Sequence, residues 1–194
     1  ALGDAENETC LFVLDVDDKF HFDNYGRSVK KFNDTDNSHK VYLLDDGSYQ
    51  FEVFDTDSFL CCSMQTDSTF SRIHVALEGN SIQRIFGFNN AMMITFAFSS
   101  AMHQTLLMHS SVTLYRDRGN MFLGKSGTGK STHSSLWLYN FEGTELLNDD
   151  NPAVRIIDGK AMVYGTPWSG KTPCYKNKKA PVNALVSLKQ KPYN

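Results

Sequence analysis

Short apolar runs separated by turn residues dominate the first part of the chain. Their length and their β-branched and aromatic content are typical of strands. The strand-like runs are residues 10–14, 41–44, 49–54 and 73–77. The Asp-Asp-Gly-Ser sequence at 45–48 favours a hairpin turn between two of them. This pattern predicts a β-rich N-terminal domain, which we place at residues 1–85.

The apolar pattern becomes helical over residues 89–105, where methionine and phenylalanine give wide apolar coverage. We therefore expect a buried helix whose methionines and phenylalanines belong to the core. Asn89 or Asn90 is its candidate N-cap. The segment before this helix forms the expected domain boundary, and the second domain is placed at residues 86–194.

The second half of the chain predicts a sheet of mixed strand direction. Residues 112–115 and 121–123 are strand-like, and the link between them is too short for a parallel crossover. They must therefore form a hairpin. A second hairpin is expected over residues 153–164, followed by a strand at 182–188. The fold class that follows is α/β (α+β), with a mixed sheet in the second domain.

Composition and charge exclude several classes of protein. The 194 residues are 41% hydrophobic with a formal charge of −3, so neither a nucleic-acid partner nor a membrane surface is expected. The apolar segment at 91–108 contains too many polar residues to predict a membrane span. Four cysteines without paired metal spacing and the lack of a secretory signal favour reduced thiols in a cytoplasmic protein. Homo-oligomer formation is compatible with this composition, which does not determine the oligomeric state.

A phosphate-binding loop follows the strand at 121–123. It has the form Gly, four residues, Gly, Lys, Ser, and a helix-compatible segment comes directly after it. The glycines let the backbone curl around a phosphate, whose charge the loop N–H groups and the helix N-terminus attract. Lys130 is expected to reach the β- and γ-phosphates, and the Ser131 hydroxyl to bind Mg²⁺. The predicted nucleotide-binding residues are Gly124, Lys125, Ser126, Gly127, Thr128, Gly129, Lys130, Ser131 and Thr132.

Residues 165–172 satisfy the same formula but do not predict a second phosphate loop. Pro173 follows immediately and disfavours a helix start, and Pro167 removes one N–H donor from the loop. Trp168 and Lys171 suit stacking and anion contact, so the segment is a candidate substrate-contacting or base-contacting loop. A packed turn without a binding role is an equally good reading of it.

Two aspartates end a short apolar strand downstream of the phosphate loop. Asp149 and Asp150 follow Leu146-Leu147-Asn148, where the chain can turn and direct both carboxylates inward. One could hold Mg²⁺ while the other accepts a proton from an attacking hydroxyl. The alternative is a solvated strand end. His109, which begins the hairpin that leads into the loop, is a further candidate, although an isolated histidine is more often structural.

The order of these features resembles the catalytic domain of HPr kinase/phosphorylase, a relative of the ATP-dependent phosphoenolpyruvate carboxykinase core. The resemblance covers residues 107–188 and includes the His-Ser strand start, the hairpin, Gly-x-Ser-Gly-x-Gly-Lys-Ser, a Leu-Trp helix and Leu-Asn-Asp-Asp. It implies that Asp149 is the acid/base aspartate, that Asp150 is a metal-side carboxylate and that His109 lies beside the catalytic aspartate. It also implies that Lys130 and the rest of the phosphate loop have the nucleotide-binding roles that the matching residues have in the family.

The resemblance and the motifs together predict an ATP-dependent kinase that uses Mg²⁺ and phosphorylates a hydroxyl, in particular a protein or peptide serine. Two alternatives stay open. The first is a small-molecule kinase or a carboxykinase-type enzyme, although Arg155 and Lys171 are the only obvious basic candidates near the motifs. The second is a non-catalytic nucleotide sensor. Residues 165–171 and the N-terminal half depart from the family, and the family's C-terminal helices do not follow. The sequence leaves open whether the native chain is longer.

Overall fold

The computed structural model describes residues 10–22, 26–31, 39–170 and 172–190, with the side chains of residues 30 and 31 left out. The chain forms two compact units, Ala1–Ser100 and Ala101–Asn194. Each unit contains one mixed β-sheet, and the described residues include two helices. The chain is therefore a mixed α/β protein, as the pattern of apolar residues predicts.

A six-stranded sheet forms the first unit, with the spatial order β1-β6-β5-β4-β3-β2. Only β1 and β6 pair in parallel; all other neighbours are antiparallel. The predicted hairpin turn at 45–48 is confirmed, since Gly47 adopts a φ of 81° and its N–H donates to the Leu44 carbonyl at 3.1 Å. The strands are β1 Val13–Val16, β2 Arg27–Lys31, β3 His39–Leu43, β4 Tyr49–Phe54, β5 Leu60–Thr66 and β6 Arg72–Leu77.

The first helix, α1, spans Ser81–Ala101 and starts earlier than predicted. Its N-cap is Asn80, not Asn89 or Asn90, because the Asn80 side-chain oxygen accepts the Gln83 N–H at 3.2 Å. The Gln83 side chain in turn accepts the Asn80 N–H at 3.0 Å, which completes a reciprocal capping box. The predicted boundary between residues 85 and 86 lies inside this helix. Among the described residues, no helix is long and apolar enough to cross a bilayer.

Small residues, rather than methionine and phenylalanine, form the most buried stripe of α1. Gly87, Ala91, Thr95 and Ser99 recur every four residues and lie on one face of the helix. A Cβ at Gly87 would lie 2.9 Å from the Cys62 Cβ, so glycine is needed for the helix to approach the sheet this closely. The expectation that the methionines and phenylalanines of the predicted helix at 89–105 belong to the core is wrong for Phe98, which is exposed in α1, and for Met102, which is exposed just after α1 ends.

A carboxylate at the turn between β5 and β6 links the stability of the first unit to pH. Burial opposes ionisation of Asp67, but hydroxyls of Ser71 and Thr69 and the Arg72 N–H donate to its carboxylate, and the pKa falls from 3.8 to about 2. Because the folded-state pKa is the lower one, this stabilisation is fully present above about pH 4 and is lost as the pH falls towards 2.

We therefore expect Asp67→Asn to lower the free energy of unfolding at neutral pH by about 1 kcal/mol, after allowance for solvent screening. It should also flatten the decline in stability between pH 4 and pH 2. Urea unfolding at several pH values measures both effects. Asp158→Asn, a change in an exposed turn of the other unit, is the control. Equal pH dependence in wild type and Asp67→Asn would contradict the account of this turn.

The second unit is built on a seven-stranded sheet with the order β10-β8-β9-β13-β12-β11-β7. The pairing of β13 with β9 is parallel and every other pairing is antiparallel, which confirms the mixed sheet and both predicted hairpins. Helix α2 packs against the β8, β9 and β10 side of this sheet. The elements are β7 Thr105–Leu107, β8 Ser110–Tyr115, β9 Arg118–Leu123, α2 Lys130–Asn140, β10 Glu145–Asn148, β11 Ala153–Ile157, β12 Lys160–Tyr164 and β13 Lys179–Ser187.

The apolar core of the second unit lies on the face of the sheet opposite α2. Ser111 and Phe122 contact α2, and their neighbours along each strand point to the other face. Met121 and Leu147, from β9 and β10, are fully buried and pack with Val112 and Val163. At this end of the sheet the core strands β9 and β10 run into the phosphate loop and the two aspartates, so well-packed strands support both parts of the site. All four cysteines are free thiols.

Candidate functional site

The phosphate-binding loop lies between a buried strand and a helix, as its sequence requires. β9 ends at Leu123 and α2 begins at Lys130, so the predicted strand, loop and helix are all present. The parallel partner strand continues to the start of the loop, where the Leu188 N–H donates to the Leu123 carbonyl at 2.8 Å. The sheet therefore holds the first turn of the loop from one side.

Two glycines give the loop its curvature. Gly127 and Gly129 adopt φ values of 80° and 92°, in the left-handed region that other residues avoid. Gly129 is the N-cap of α2, and no side chain of the described residues caps the helix there. The first N–H groups of α2 are therefore not occupied by a side-chain acceptor, and they are suited to an anion.

Lys130 is anchored at the base of the loop. Its ammonium group donates to the carbonyl oxygens of Gly124 at 3.0 Å and Lys125 at 3.3 Å, and the residue is 8% exposed. The Thr128 N–H and hydroxyl donate to the same Lys125 carbonyl, which closes the loop on itself. An ammonium group has three donors, so one remains available for a phosphate oxygen.

Asn148 holds the end of β10 and positions the aspartates that follow. This fully buried residue accepts the Asp150 N–H at 2.9 Å and donates to the Thr166 hydroxyl at 3.1 Å. The Thr166 hydroxyl then donates to the Asn151 carbonyl at 2.7 Å. These bonds fix the turn after β10 against the loop at residues 165–170. Neither Asn148 nor Thr166 was predicted as a site residue. An asparagine that ends an apolar strand directly before two aspartates could have indicated the role of Asn148.

Asp149 is buried beneath the phosphate loop. It is 6% exposed, and its Oδ1 accepts the Ser111 hydroxyl at 2.6 Å. Ser111 in turn lies 2.6 Å from the Ser134 hydroxyl, and both serines are almost fully buried. The carboxylate is therefore held by a hydrogen bond from β8. Ser111 and Ser134 were not predicted as site residues.

Asp150 lies nearer the surface and pairs with His109. The His109 Nε2 is 3.8 Å from the Asp150 Oδ1, and the two side chains are 55% and 35% exposed. The Asn151 amide donates to the other Asp150 oxygen at 2.9 Å. Backbone bonds explain the pairing: the Ser110 N–H donates to the Asp150 carbonyl, and this contact aligns the two segments. The structure therefore places His109 beside Asp150.

One cleft brings most of the predicted residues together. Its volume is about 400 Å³, and it lies between the phosphate loop and the turn after β10. Gly124, Lys125 and Thr128 of the predicted loop residues are not among its lining residues. The lining residues are His109, Ser126, Gly127, Gly129, Lys130, Ser131, Thr132, Asp149, Asp150 and Gly170.

The segment with the second glycine-lysine formula borders this cleft through Gly170, not through Trp168. The Trp168 carbonyl accepts the Asn151 N–H at 3.3 Å, which ties this segment to the turn after β10. A Cβ at Gly170 would lie 3.1 Å from the Asp150 Cβ, so the glycine leaves space beside that aspartate. Within the described residues 172–190 no helix follows the segment, in agreement with the prediction that it is not a second phosphate loop. Lys171 lies outside the described residues, and its predicted role stays a prediction.

The cleft offers ligands that suit Mg²⁺ bound together with a nucleotide. Among the described residues, no three His, Cys, Asp or Glu side chains cluster as a metal site. Mg²⁺ keeps several waters and takes one or two protein ligands together with phosphate oxygens, so it does not need such a cluster. The Ser131 hydroxyl and the Asp150 carboxylate line the same cleft and could supply those ligands.

Comparison with known proteins does not assign the chain to a family. No protein-family model matches the chain, and no curated protein matches it. The residues of the cleft must therefore carry any inference about function.

Proposed function

We propose that the protein binds Mg²⁺-ATP and transfers its γ-phosphoryl group to a hydroxyl, in a reaction of the HPr-kinase type. One observation carries the proposal: the phosphate-loop lysine, the serine suited to Mg²⁺ and a buried aspartate all line one cleft. The acceptor that we propose is a serine of a protein or peptide.

The loop and helix supply the phosphate site. The N–H groups at the start of α2 and the third donor of Lys130 stabilise negative charge on the β- and γ-phosphates. Lys130 is already fixed by two carbonyls, so little reorganisation accompanies the transfer. Positioning and electrostatics of this kind supply most of the catalysis in phosphoryl transfer.

Ser131 and Asp150 are the residues that would hold Mg²⁺, which supplies charge neutralisation between the β- and γ-phosphates when it is bound. Asn151 orients the Asp150 carboxylate through its amide. His109 approaches the opposite oxygen of Asp150 and limits the directions in which that carboxylate can turn. These contacts keep the metal-side carboxylate facing the phosphate loop.

Asp149 is the general base of the proposed reaction. The acceptor hydroxyl gives its proton to the Asp149 carboxylate, and its oxygen forms a bond to the γ-phosphorus. The bond between that phosphorus and the β,γ-bridging oxygen breaks, and ADP leaves with the electron pair. Because Oδ1 already accepts the Ser111 hydroxyl, Oδ2 is the oxygen suited to take the proton.

The charge of the cleft favours a neutral hydroxyl over a dicarboxylate substrate. The described residues that line the cleft include two carboxylates, Asp149 and Asp150. Lys130 is the one lysine or arginine among those lining residues. A carboxykinase substrate would place further negative charge beside both aspartates without a second fixed cation. This balance supports the kinase over the carboxykinase-type alternative.

The proposal is tested by incubating the protein with γ-labelled ATP and Mg²⁺ in parallel with serine-containing peptides, small hydroxyl metabolites and oxaloacetate. We expect label in a peptide together with an equal amount of ADP. If label appears only in a small hydroxyl metabolite, the protein is a small-molecule kinase and the proposed peptide acceptor is wrong. Phosphoenolpyruvate formed from oxaloacetate would show a carboxykinase. Tight ATP binding without transfer to any acceptor would favour a nucleotide sensor and contradict the proposal.

A further inference from the structure

Three polar side chains form a buried hydrogen-bonded chain behind the cleft. The Ser134 Oγ lies 2.6 Å from the Ser111 Oγ, and the Ser111 Oγ lies 2.6 Å from the Asp149 Oδ1. Ser111 is fully buried, Ser134 is 1% exposed and Asp149 is 6% exposed. Burying two hydroxyls and a carboxylate costs free energy unless they bond to one another, as they do here.

The direction of each bond follows from the donors available. An ionised carboxylate can only accept, so the single Ser111 proton is donated to Asp149. The Ser111 oxygen must then accept the proton of Ser134. The chain therefore runs in one direction, from Ser134 through Ser111 to Asp149, and each bond polarises the next.

This chain joins the three elements that build the site. Ser134 lies on α2, which begins at Lys130 next to the phosphate loop, and Ser111 lies on β8, the second strand from the sheet edge. Asp149 directly follows β10, the other neighbour of β8. The carboxylate is thus tied through side chains to the same helix that carries Lys130 and Ser131.

We infer that Ser111 and Ser134 are positioning residues, which hold the Asp149 carboxylate so that Oδ2 faces the acceptor hydroxyl. The inference rests on the proposed function. Ser111 acts directly on Asp149, whereas Ser134 acts only through Ser111. Neither serine lines the cleft, so nucleotide binding does not depend on them.

A neighbouring serine provides a matched control. Ser110 is also fully buried on β8, but its side chain points to the opposite face of the sheet. Its hydroxyl has no hydrogen-bond partner among the described residues. Ser110→Ala therefore makes the same chemical change in the same strand without touching the chain to Asp149.

The experiment measures kcat and KM for ATP in peptide phosphorylation by wild type and four variants, with ATP affinity and thermal unfolding for each. Ser111→Ala should lower kcat about 10- to 100-fold, and Ser134→Ala about two- to fivefold. The kcat of the double variant should equal that of Ser111→Ala, because Ser134 affects Asp149 only through its hydrogen bond to Ser111. Ser110→Ala should keep wild-type kcat, and KM should change less than about threefold throughout.

A fifth variant, Ser111→Thr, keeps the hydroxyl and should restore kcat to within about threefold of wild type. If Ser111→Ala does not fold, the two- to fivefold loss expected in Ser134→Ala decides the test, and wild-type kcat in Ser134→Ala would then overturn the inference. Wild-type kcat in Ser111→Ala would overturn the inference while leaving the proposed function intact. So would a double variant whose fall in kcat equals the product of the two single-variant falls. A wild type that binds ATP but phosphorylates nothing would overturn both.

Discussion

Lys130→Ala should abolish measurable phosphoryl transfer, with a fall in kcat/KM of at least about 100-fold. The variant loses the fixed positive charge that faces the β- and γ-phosphates, and the Gly124 and Lys125 carbonyls lose their shared donor. Affinity for Mg²⁺-ATP should therefore fall together with turnover. Isothermal titration with Mg²⁺-ATP and a transfer assay measure the two effects separately.

An exposed lysine on the other hairpin of the same unit gives the control. Lys160→Ala removes the same charge at the start of β12, outside the described lining of the cleft. It should leave both affinity and transfer within about twofold of wild type, because Lys160 is exposed to solvent and lies outside the cleft lining, where salt screens its charge. Unchanged ATP affinity in Lys130→Ala would mean that the loop is not the phosphate site.

Asp149→Asn should lower kcat by about 10²- to 10⁴-fold while ATP affinity stays within about threefold of wild type. Asparagine has the shape of aspartate and its side-chain oxygen can still accept the Ser111 hydroxyl, so the buried site should keep its geometry. What it lacks is the second carboxylate oxygen that takes the acceptor proton. Single-turnover transfer from prebound ATP measures this step alone.

The neighbouring aspartate separates the base from the metal ligand. Asp150→Asn should raise the Mg²⁺ concentration needed for half-maximal transfer, because a neutral amide oxygen binds Mg²⁺ less well than a carboxylate. At saturating Mg²⁺ it should lose less activity than Asp149→Asn. If the two variants have equal kcat values and equal Mg²⁺ dependence, the division of roles between the aspartates is wrong.

The parts of the site that sequence could predict are those encoded by neighbouring residues. The phosphate loop is one continuous segment, and each glycine or lysine in it has a local reason to be there. Asp149 and Asp150 were predictable for the same reason, since they directly follow an apolar strand. The hairpin before the loop followed from a link too short for any other connection.

The parts that sequence could not predict depend on side chains that meet across the sheet. Ser111 and Ser134 are far apart in the chain and become partners only because α2 packs on β8. Nothing in a serine-rich strand distinguishes Ser111, which bonds to Asp149, from Ser110, which faces away. Asn148 anchors the turn through contacts with Thr166, which lies 18 residues away in sequence.

The predicted start of α1 lies too late in the chain because the apolar pattern alone does not mark the N-cap. Asn80 is recognisable as the cap only together with Gln83, which stands three residues later, where a capping box needs it. Small residues such as Gly87 and Ala91 then marked the buried face, which a search for large apolar side chains overlooked.

A crystal structure of the protein with Mg²⁺ and a non-hydrolysable ATP analogue tests the central claim most directly. We predict the β- and γ-phosphates against the N–H groups of the loop and the Lys130 ammonium, with Mg²⁺ on the Ser131 hydroxyl and on Asp150. The γ-phosphate should then face the Asp149 carboxylate across the cleft. Phosphates bound elsewhere, or a γ-phosphate that Asp149 cannot face, would contradict the account.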